Sequence, residues 1–207
     1  MALSEPFSQC GFGASLALAC DYDGTLAHRG IVSAATVRAL ERFRDSGRRL
    51  FLVTGRLLPE LDQIFPRLDL FDCVVAENGP VLFDPRTREK TILSRRRSER
   101  LIAELRKRGV EEITAGEVVV ATSREHASEA IDAIRGAGLD LRLIYNKDSL
   151  MMLPPGMDKM TGLAAALGGF HILSERTIAV GDGENDEPLL AGCGCAVAVA
   201  NAVIELK

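Results

Sequence analysis

Two aspartates, two positions apart, follow the apolar run of residues 14–20 in the stretch LALACDYDGTLA. Carboxylates this close repel each other unless a cation lies between them. We expect Asp21 to be ionised at neutral pH without help, and it could attack phosphorus because carboxylates serve as phosphoryl acceptors. Asp23 lies just beyond it, where it could give and take a proton. The pair predicts phosphoryl transfer through an aspartyl phosphate beside a metal ion.

A second acidic stretch, GDGENDEPLL, contributes Asp182 and Asp186 from a loop that enters a predicted helix. Pro188 suits the first turn of that helix, so both carboxylates could face one crevice. Three or four clustered carboxylates without cysteine or histidine favour a hard cation that prefers oxygen ligands. Mg2+ fits this set, because it binds through a few carboxylates and keeps water and substrate oxygens as its other ligands.

Donors for a phosphate group come from two other stretches. Thr54 and the backbone amide of Gly55 lie in VTGR, and Lys159 begins a helical pattern in GMDKMTGL. Lys159 would bring a full positive charge to a helix N-terminus, which attracts anions, and would keep the nucleophile ionised. Arg56 could bind substrate, pair with Glu77 or cap a helix, and the sequence leaves these three possibilities open.

Five short apolar runs suit strands that are buried on both faces of a parallel sheet. They cover residues 14–20, 49–54, 72–77, 177–182 and 195–201. Helical patterns alternate with them, and the first predicted helix begins after an N-cap at Ser33 and ends near Gly47. This alternation predicts a doubly wound, Rossmann-like α/β core with a parallel sheet and right-handed crossovers.

Four of these runs end in polar residues that could react or bind an anion. The ends are Asp21, the segment 54–56, the segment 77–79 and Asp182. In open α/β sheets, ligands bind outside the carboxyl ends of the strands, where neighbouring loops diverge. We therefore expect the four ends to meet in one crevice.

The pattern changes between residues 80 and 155, where turn signals at DPRT and LPPG interrupt a mixture of helical and strand-like stretches. We expect this segment to be an inserted α+β cap and residues 1–79 and 156–207 to form the core. Asn146 and Lys147 lie on a polar turn between two cap strands that could face the crevice. They are the residues expected to influence the choice of substrate.

Composition narrows the class of partner. The 207 residues are 47% hydrophobic and 26% charged, which is ordinary for a folded globular chain. The formal net charge is -4, so there is no basic excess to bind the phosphate backbone of nucleic acid. The apolar run at residues 14–20 is too short to span a membrane. We expect a cytoplasmic protein that binds neither nucleic acid nor membrane, and its oligomeric state is left open.

The stretches DYDGTLA, VTGR, GMDKMTGL and GDGENDEPLL resemble the four ordered motifs of the haloacid dehalogenase (HAD) superfamily of phosphatases. AENGPVLFDP, together with the insertion between the second and third motifs, is similar to the class IIB, Cof-type branch. That branch includes sugar phosphatases and archaeal phosphoglycolate phosphatases. Members commonly continue past the strand AVAVANA into a further strand and helix, whereas this sequence stops at VIELK.

The resemblance implies a magnesium-dependent phosphatase that hydrolyses small phosphate monoesters, such as a sugar phosphate or a phosphoglycolate-like metabolite. It implies Asp21 as the nucleophile, and Asp23 as the acid and base and as a metal ligand through its main-chain oxygen. The insertion becomes a lid-like cap. The other implied site residues are Thr54, Lys159 and Asn185 toward the phosphate and Asp182 and Asp186 around Mg2+.

Two alternatives stay open. A phosphomutase would form the same aspartyl phosphate but return the phosphoryl group to a second hydroxyl of the sugar. A non-catalytic phospho-ligand-binding domain of a longer protein would use the site only for binding. The presence of Asp21, Asp23, Lys159 and Asp182 together argues against the second alternative.

Overall fold

The computed structural model of the protein describes residues 16–207, which form sheets of seven, four and two strands. The strands are β1 (Ala17–Cys20), β2 (Ala27–His28), β3 (Ile31–Val32), β4 (Arg49–Val53), β5 (Cys73–Ala76), β6 (Val81–Phe83), β7 (Lys90–Ile92), β8 (Thr114–Ala115), β9 (Val120–Ser123), β10 (Arg142–Asn146), β11 (Ser149–Leu153), β12 (Thr177–Gly181) and β13 (Cys195–Ala198). The α-helices are α1 (Ala34–Asp45), α2 (Leu58–Ile64), α3 (Glu99–Lys107), α4 (Ala127–Ala137), α5 (Lys159–Gly169) and α6 (Glu187–Gly192). In this part of the chain, none of the helices is long and apolar enough to cross a bilayer.

The seven-stranded sheet has the order β13-β12-β1-β4-β5-β6-β7. Its first five strands are parallel and coincide with the five predicted runs, although residues 14 and 15 of the first run lie outside the described residues. Helices alternate with these strands along the chain, so the prediction of a doubly wound α/β core is confirmed.

Local sequence explains why these elements form where they do. In β4 the side chains from Leu50 to Val53 have no exposed surface, as expected for a strand covered on both faces. The helix that precedes it begins after Ser33, whose hydroxyl oxygen accepts a hydrogen bond from the Thr36 backbone N–H at 3.0 Å. The chain leaves that helix at Gly47, where φ is +81°.

The inserted segment has its own sheet, with the order β10-β11-β9-β8. Helices α3 and α4 cover one face of it, and their apolar side chains form a separate buried cluster with those of the sheet. The hairpin β6-β7, by contrast, pairs antiparallel with β5 and extends the core sheet, although it lies inside the segment 80–155. The division into core and cap stays a prediction, and this hydrogen bonding favours an insertion that begins after Ile92.

The second face of the inserted sheet lies against the core. Val119, Met151 and Leu153 of the insertion belong to the same buried apolar cluster as Leu52 and Ala76 of the core strands. The insertion therefore packs on the carboxyl edge of the parallel sheet, where the predicted site residues lie.

Candidate active site

Asp21 directly follows β1, which lies between β12 and β4 in the sheet. Its carboxylate is buried, and Oδ1 accepts a hydrogen bond from Lys159 Nζ at 2.6 Å. The same ammonium donates to Asp186 Oδ1, also at 2.6 Å, and only 1% of the Lys159 side chain is exposed. One buried cation therefore bridges two buried carboxylates.

The start of α5 fixes the position of Lys159, which is the first residue of that helix. The Asp158 carboxylate accepts from the Thr161 backbone N–H at 2.8 Å, and the Thr161 hydroxyl accepts from the Asp158 N–H at 2.9 Å. Glycines let the helix approach the turn after β5 closely. A Cβ on Gly79 would lie 2.1 Å from the Asp158 carbonyl oxygen, and one on Gly162 would lie 2.3 Å from the Gly79 carbonyl oxygen. Capping and close packing together hold the ammonium in the site.

Asp182 and Asp186 lie on the loop between β12 and α6. Asp186 Oδ2 accepts hydrogen bonds from the backbone N–H groups of Asp182 at 2.9 Å and Gly183 at 3.0 Å. One Asp186 oxygen thus folds the loop while the other faces the ammonium. Asp21, Asp182 and Asp186 are all buried, and each offers a carboxylate oxygen within 4.8 Å of the others. This group could hold a metal ion, and its hard oxygen donors suit a divalent cation.

The charge balance of this cluster is negative. Burial raises the pKa of Asp21 to about 7, an effect that Lys159 opposes and Asp186 reinforces. Burial would lower the pKa of the Lys159 ammonium, but Asp21 and Asp186 together raise it above its usual value. Lys159 therefore keeps its charge and binds two of the three carboxylates, while Asp182 pairs with the half-exposed Lys147. A bound divalent cation would favour the ionised form of the nucleophile.

Arg56 binds the second aspartate of the predicted pair. Its Nε and one terminal nitrogen donate to the two oxygens of Asp23 at 2.5 and 2.8 Å, and its guanidinium lies 5.8 Å from the centre of the Tyr22 ring. The sequence left open an ion pair between Arg56 and Glu77, but in the structure Arg56 pairs with Asp23. The Asp23 carboxylate is also not among the three that could share a metal ion, so a metal contact through its main-chain oxygen stays a prediction.

The predicted phosphate-binding residues lie along the same edge of the sheet. Thr54 is buried, and its hydroxyl oxygen accepts from the Arg56 backbone N–H at 3.1 Å, which leaves the hydroxyl proton for another acceptor. Gly55 lines the same cavity as the nucleophile. Asn185 donates from Nδ2 to Asn78 Oδ1 at 2.8 Å, while its own Oδ1 is buried without a partner. Thr54 and Gly55 can therefore donate toward a phosphate, and the Asn185 amide nitrogen keeps a second N–H besides the one bonded to Asn78.

The polar turn between β10 and β11 reaches this site. Lys147 Nζ lies 2.7 Å from Asp182 Oδ2, and the Lys147 backbone N–H donates to Glu184 Oε2 at 3.0 Å. Asn146 lines the cavity, and its Oδ1 is buried without a partner. The turn thus contacts the predicted metal-binding loop as well as the cavity, and the first of these contacts was not foreseen from the sequence.

A cavity of about 300 Å³ lies between the sheet edge and the insertion. Its walls include Asp21, Asp23 and Arg56 from the core and Thr114, Val119 and Ser149 from the insertion. A larger cavity of about 520 Å³ lies in the insertion beside Arg95–Arg97 and includes none of the predicted site residues. The smaller cavity is therefore the candidate substrate site, and its size suits a small molecule.

Glu77 has a role that sequence reasoning missed. It follows β5 with a φ of +57°, in the left-handed region that residues other than glycine rarely adopt. Its buried carboxylate accepts hydrogen bonds from three backbone N–H groups of the insertion instead of facing the cavity. A glutamate before Asn-Gly at a strand end is the only sequence signal, and that signal does not reveal a partner some forty residues away.

The doubly wound core, the inserted α+β unit and the buried aspartate–lysine site define a HAD-fold enzyme. The chain belongs to the haloacid dehalogenase-like hydrolase family, whose model matches residues 18–130 and 107–207. The resemblance inferred from the four motifs is thereby confirmed, as is the prediction of a HAD-superfamily hydrolase. The roles of the individual site residues stay predictions.

Relatives and solved structures agree with this assignment. A phosphoglycolate phosphatase of Methanothermobacter thermautotrophicus is 28% identical over 198 residues, which are 92% of this chain and 88% of the relative. A phosphoglycolate phosphatase of Aeropyrum pernix is 28% identical over 203 residues, which are 91% of this chain and 82% of that one. The solved structure of a HAD subclass IIB sugar phosphatase has a TM-score of 0.77 at 21% identity and covers 93% of this chain and 90% of its own. The last comparison shows a shared fold.

Proposed function

We propose that the protein is a magnesium-dependent phosphatase that hydrolyses small phosphate monoesters through an aspartyl phosphate on Asp21. The observation that carries the proposal is the bridge that Lys159 makes between Asp21 and Asp186, beside Asp182. A phosphoryl group needs a nucleophile, a fixed positive charge and a cation, and this arrangement offers a place for all three. Family membership and relatives named phosphoglycolate phosphatase support the same reaction class.

Asp21, Asp182 and Asp186 would hold the Mg2+, with the main-chain oxygen of Asp23 as a further proposed ligand. The fit is supported by three buried carboxylates whose oxygens lie within 4.8 Å of one another. When bound, Mg2+ supplies positive charge that polarises the phosphoryl group and offsets its repulsion from the carboxylates.

In the first proposed step, an Asp21 oxygen attacks phosphorus, and the bond between phosphorus and the ester oxygen breaks. Asp23 gives its proton to the departing oxygen, so the alcohol leaves in its neutral form. Lys159, the Thr54 hydroxyl and the Gly55 N–H donate toward the phosphoryl oxygens, over which negative charge spreads during transfer.

In the second step, Asp23 is ionised and takes a proton from a water molecule. The water oxygen attacks phosphorus, the bond from phosphorus to Asp21 breaks, and inorganic phosphate leaves. Arg56 orients Asp23 for both steps, because its guanidinium binds both oxygens of that carboxylate. The cycle returns both aspartates to their starting forms.

The size and charge of the cavity support the proposal that the substrate is a small anion, such as a sugar phosphate or a phosphoglycolate-like metabolite. Its volume is about 300 Å³, and its walls come from both the core and the insertion. Arg56 and Lys147 add positive charge around it, and each pairs with an aspartate. We infer that the insertion acts as a cap and that Asn146 and Lys147 contribute to the choice of substrate.

A panel of phosphate esters tests the proposal. Phosphoglycolate, several sugar phosphates and nitrophenyl phosphate are incubated with the protein in Mg2+ or in EDTA, and released phosphate is measured. We expect release from at least one ester in Mg2+ and none in EDTA, with Asp21→Asn as the inactive matched variant. Full activity in EDTA would remove the metal from the proposal. No release from any ester, or only an isomeric sugar phosphate as product, would overturn the assignment as a phosphatase.

A further inference from the structure

We propose that Glu77 is a positioning residue that holds the β8-β9 hairpin of the insertion over the nucleophile and so sets the wall of the substrate cavity. The inference rests on the proposed phosphatase function, because it concerns how that cavity is closed. Glu77 belongs to the core, since it directly follows β5. The groups it holds belong to the insertion, some forty residues farther along the chain.

The contact is specific and buried. Glu77 Oε1 accepts from the backbone N–H of Glu117 at 2.8 Å. Oε2 accepts from the N–H groups of Val118 at 2.8 Å and Val119 at 3.1 Å. Only 2% of Glu77 is exposed, and all three donors are backbone groups. A carboxylate that accepts several N–H bonds away from water fixes the chain segment that donates them.

The hairpin is shaped to receive this carboxylate. A Cβ on Gly116 would lie 2.4 Å from the carboxyl carbon of Glu77, so any side chain at that position would displace one of the two. The Gly116 N–H donates to the Val119 carbonyl oxygen at 2.9 Å, which closes the turn around the carboxylate. Glycine at 116 and glutamate at 77 therefore depend on each other.

The turn that carries Glu77 also contacts the catalytic side of the site. The next residue, Asn78, accepts from Asn185 Nδ2 at 2.8 Å. The residue after it, Gly79, packs against the start of α5, which carries Lys159. Three successive residues thus contact the insertion, the predicted metal-binding loop that carries Asn185, and the start of the helix that carries Lys159. The Asn78 and Gly79 contacts hold this turn against the core, so Glu77 binds the hairpin from a fixed position.

Hairpin residues form part of the cavity wall. Thr114, Val119 and Ala121 line the same cavity as Asp21, and Val119 is itself one of the donors to Glu77. The candidate phosphate-binding groups, in contrast, come from the core. Loosening the hairpin should therefore weaken contacts with the organic part of a substrate and leave the binding of inorganic phosphate unchanged.

The test compares Glu77→Gln with a matched control, Glu41→Gln, which changes a glutamate that pairs with Arg67 on the core surface. Glutamine nearly keeps the shape of glutamate, but its amide nitrogen cannot accept a hydrogen bond. Amide hydrogen exchange in the segment 114–121 is expected to accelerate by about tenfold or more in Glu77→Gln, because hydrogen bonds to a charged acceptor are lost. Exchange in α5 and in the control variant should not change.

Kinetics provide the second readout. Glu77→Gln is expected to raise KM for an organic ester by about tenfold, while the inhibition constant of inorganic phosphate in Mg2+ stays within about twofold of the wild-type value. A second variant, Gly116→Ala, should reproduce this separation of KM from phosphate inhibition, because the added methyl group forces the hairpin and the Glu77 carboxylate apart while the carboxylate is kept. Restoring the wild-type residue at either position should restore KM.

Three results would overturn the inference. The first is unchanged amide hydrogen exchange in the segment 114–121 of Glu77→Gln, and the second is faster exchange there with an unchanged KM. The third is equal weakening of phosphate and ester binding, which would indicate general damage to the site. The exchange measurement needs no turnover. A wild-type protein without phosphatase activity would therefore count against the proposed function, while the exchange data would still report whether Glu77 holds the hairpin.

Discussion

Replacing Lys159 with methionine is expected to lower the free energy of unfolding by about 3–5 kcal/mol in the absence of Mg2+, the usual cost of removing one partner from a buried ion pair. Methionine fills similar space, so the loss comes from charge and hydrogen bonding and not from a cavity. The variant would leave Asp21 and Asp186 buried, close together and without their shared cation.

The contacts of Lys159 give a similar figure. The ammonium makes two hydrogen bonds of 2.6 Å to carboxylates. Each bond to a charged group contributes about 1.5–3 kcal/mol, so the pair contributes about 3–6 kcal/mol. The variant can recover part of this by taking up a proton on one of the two aspartates.

Because an aspartate can take up a proton in the variant, the loss of unfolding free energy depends on pH. The pKa of Asp21 is already raised by burial to about 7, above its value in the unfolded chain, so its contribution to stability is lost as pH rises through about 7. Without Lys159 the pKa of Asp21 should rise further. The variant should therefore be least stable relative to wild type at about pH 8 and closer to wild type at about pH 5.

Urea unfolding in EDTA, followed by circular dichroism, measures these differences. The matched control is Lys107→Met, which removes an exposed lysine that also pairs with a carboxylate, that of Glu104. Its loss of unfolding free energy should be much smaller than that of Lys159→Met, because solvent screens an exposed ion pair. Adding Mg2+ should narrow the gap between Lys159→Met and wild type. Equal losses in the two variants, or no dependence on pH, would refute the reasoning.

Three further predictions concern other residues of the site. Asp182→Asn should weaken Mg2+ binding by about tenfold or more, as read from a titration of thermal stability with Mg2+, and unchanged binding would exclude this carboxylate as a ligand. Changing Asn146 or Lys147 should alter the relative rates of hydrolysis among phosphate esters, and equal effects on every ester would contradict a role in specificity. Lys147→Met should also bind Mg2+ at least as tightly as wild type, because it removes an ammonium that competes with the metal ion for Asp182. Arg56→Gln should lower kcat more than it raises KM, because it releases the carboxylate that moves protons, and the opposite split in steady-state kinetics would make Arg56 a substrate-binding residue.

The core of the fold could be predicted because its signals are local. Parallel strands covered on both faces appear as short, continuous apolar runs, and the first helix carries its own N-cap at Ser33. The hairpin β6-β7 carries no such signal, because each of its strands has three residues and their pairing with β5 depends on tertiary contacts. The sequence therefore predicted the existence of an insertion better than its starting point.

The buried site was predictable for a topological reason, and the pairings around it were not. Asp21 and Asp182 follow adjacent parallel strands, so the rule for open α/β sheets brings them together. Arg56 had several acidic partners within reach along the sheet edge, and only the folded arrangement selects Asp23. Glu77 accepts hydrogen bonds from backbone N–H groups of the insertion. Every residue except proline has such a group, so the residue types in the sequence do not indicate this contact.

The central claim, that the phosphoryl group passes through Asp21 with Asp23 moving the protons, is tested most directly by trapping the intermediate. In Asp23→Ala, nitrophenyl phosphate should still phosphorylate the protein, because nitrophenolate leaves without a proton, whereas the second step lacks its base. We expect a burst of about one nitrophenol per protein followed by a stall, and a phosphoryl adduct in the intact-protein mass after acid quenching. The adduct should be absent when Asp21→Asn is added, and an alkyl phosphate should react far more slowly than the nitrophenyl ester. Equal slowing of both esters, with no phosphorylated protein at any time, would contradict the account.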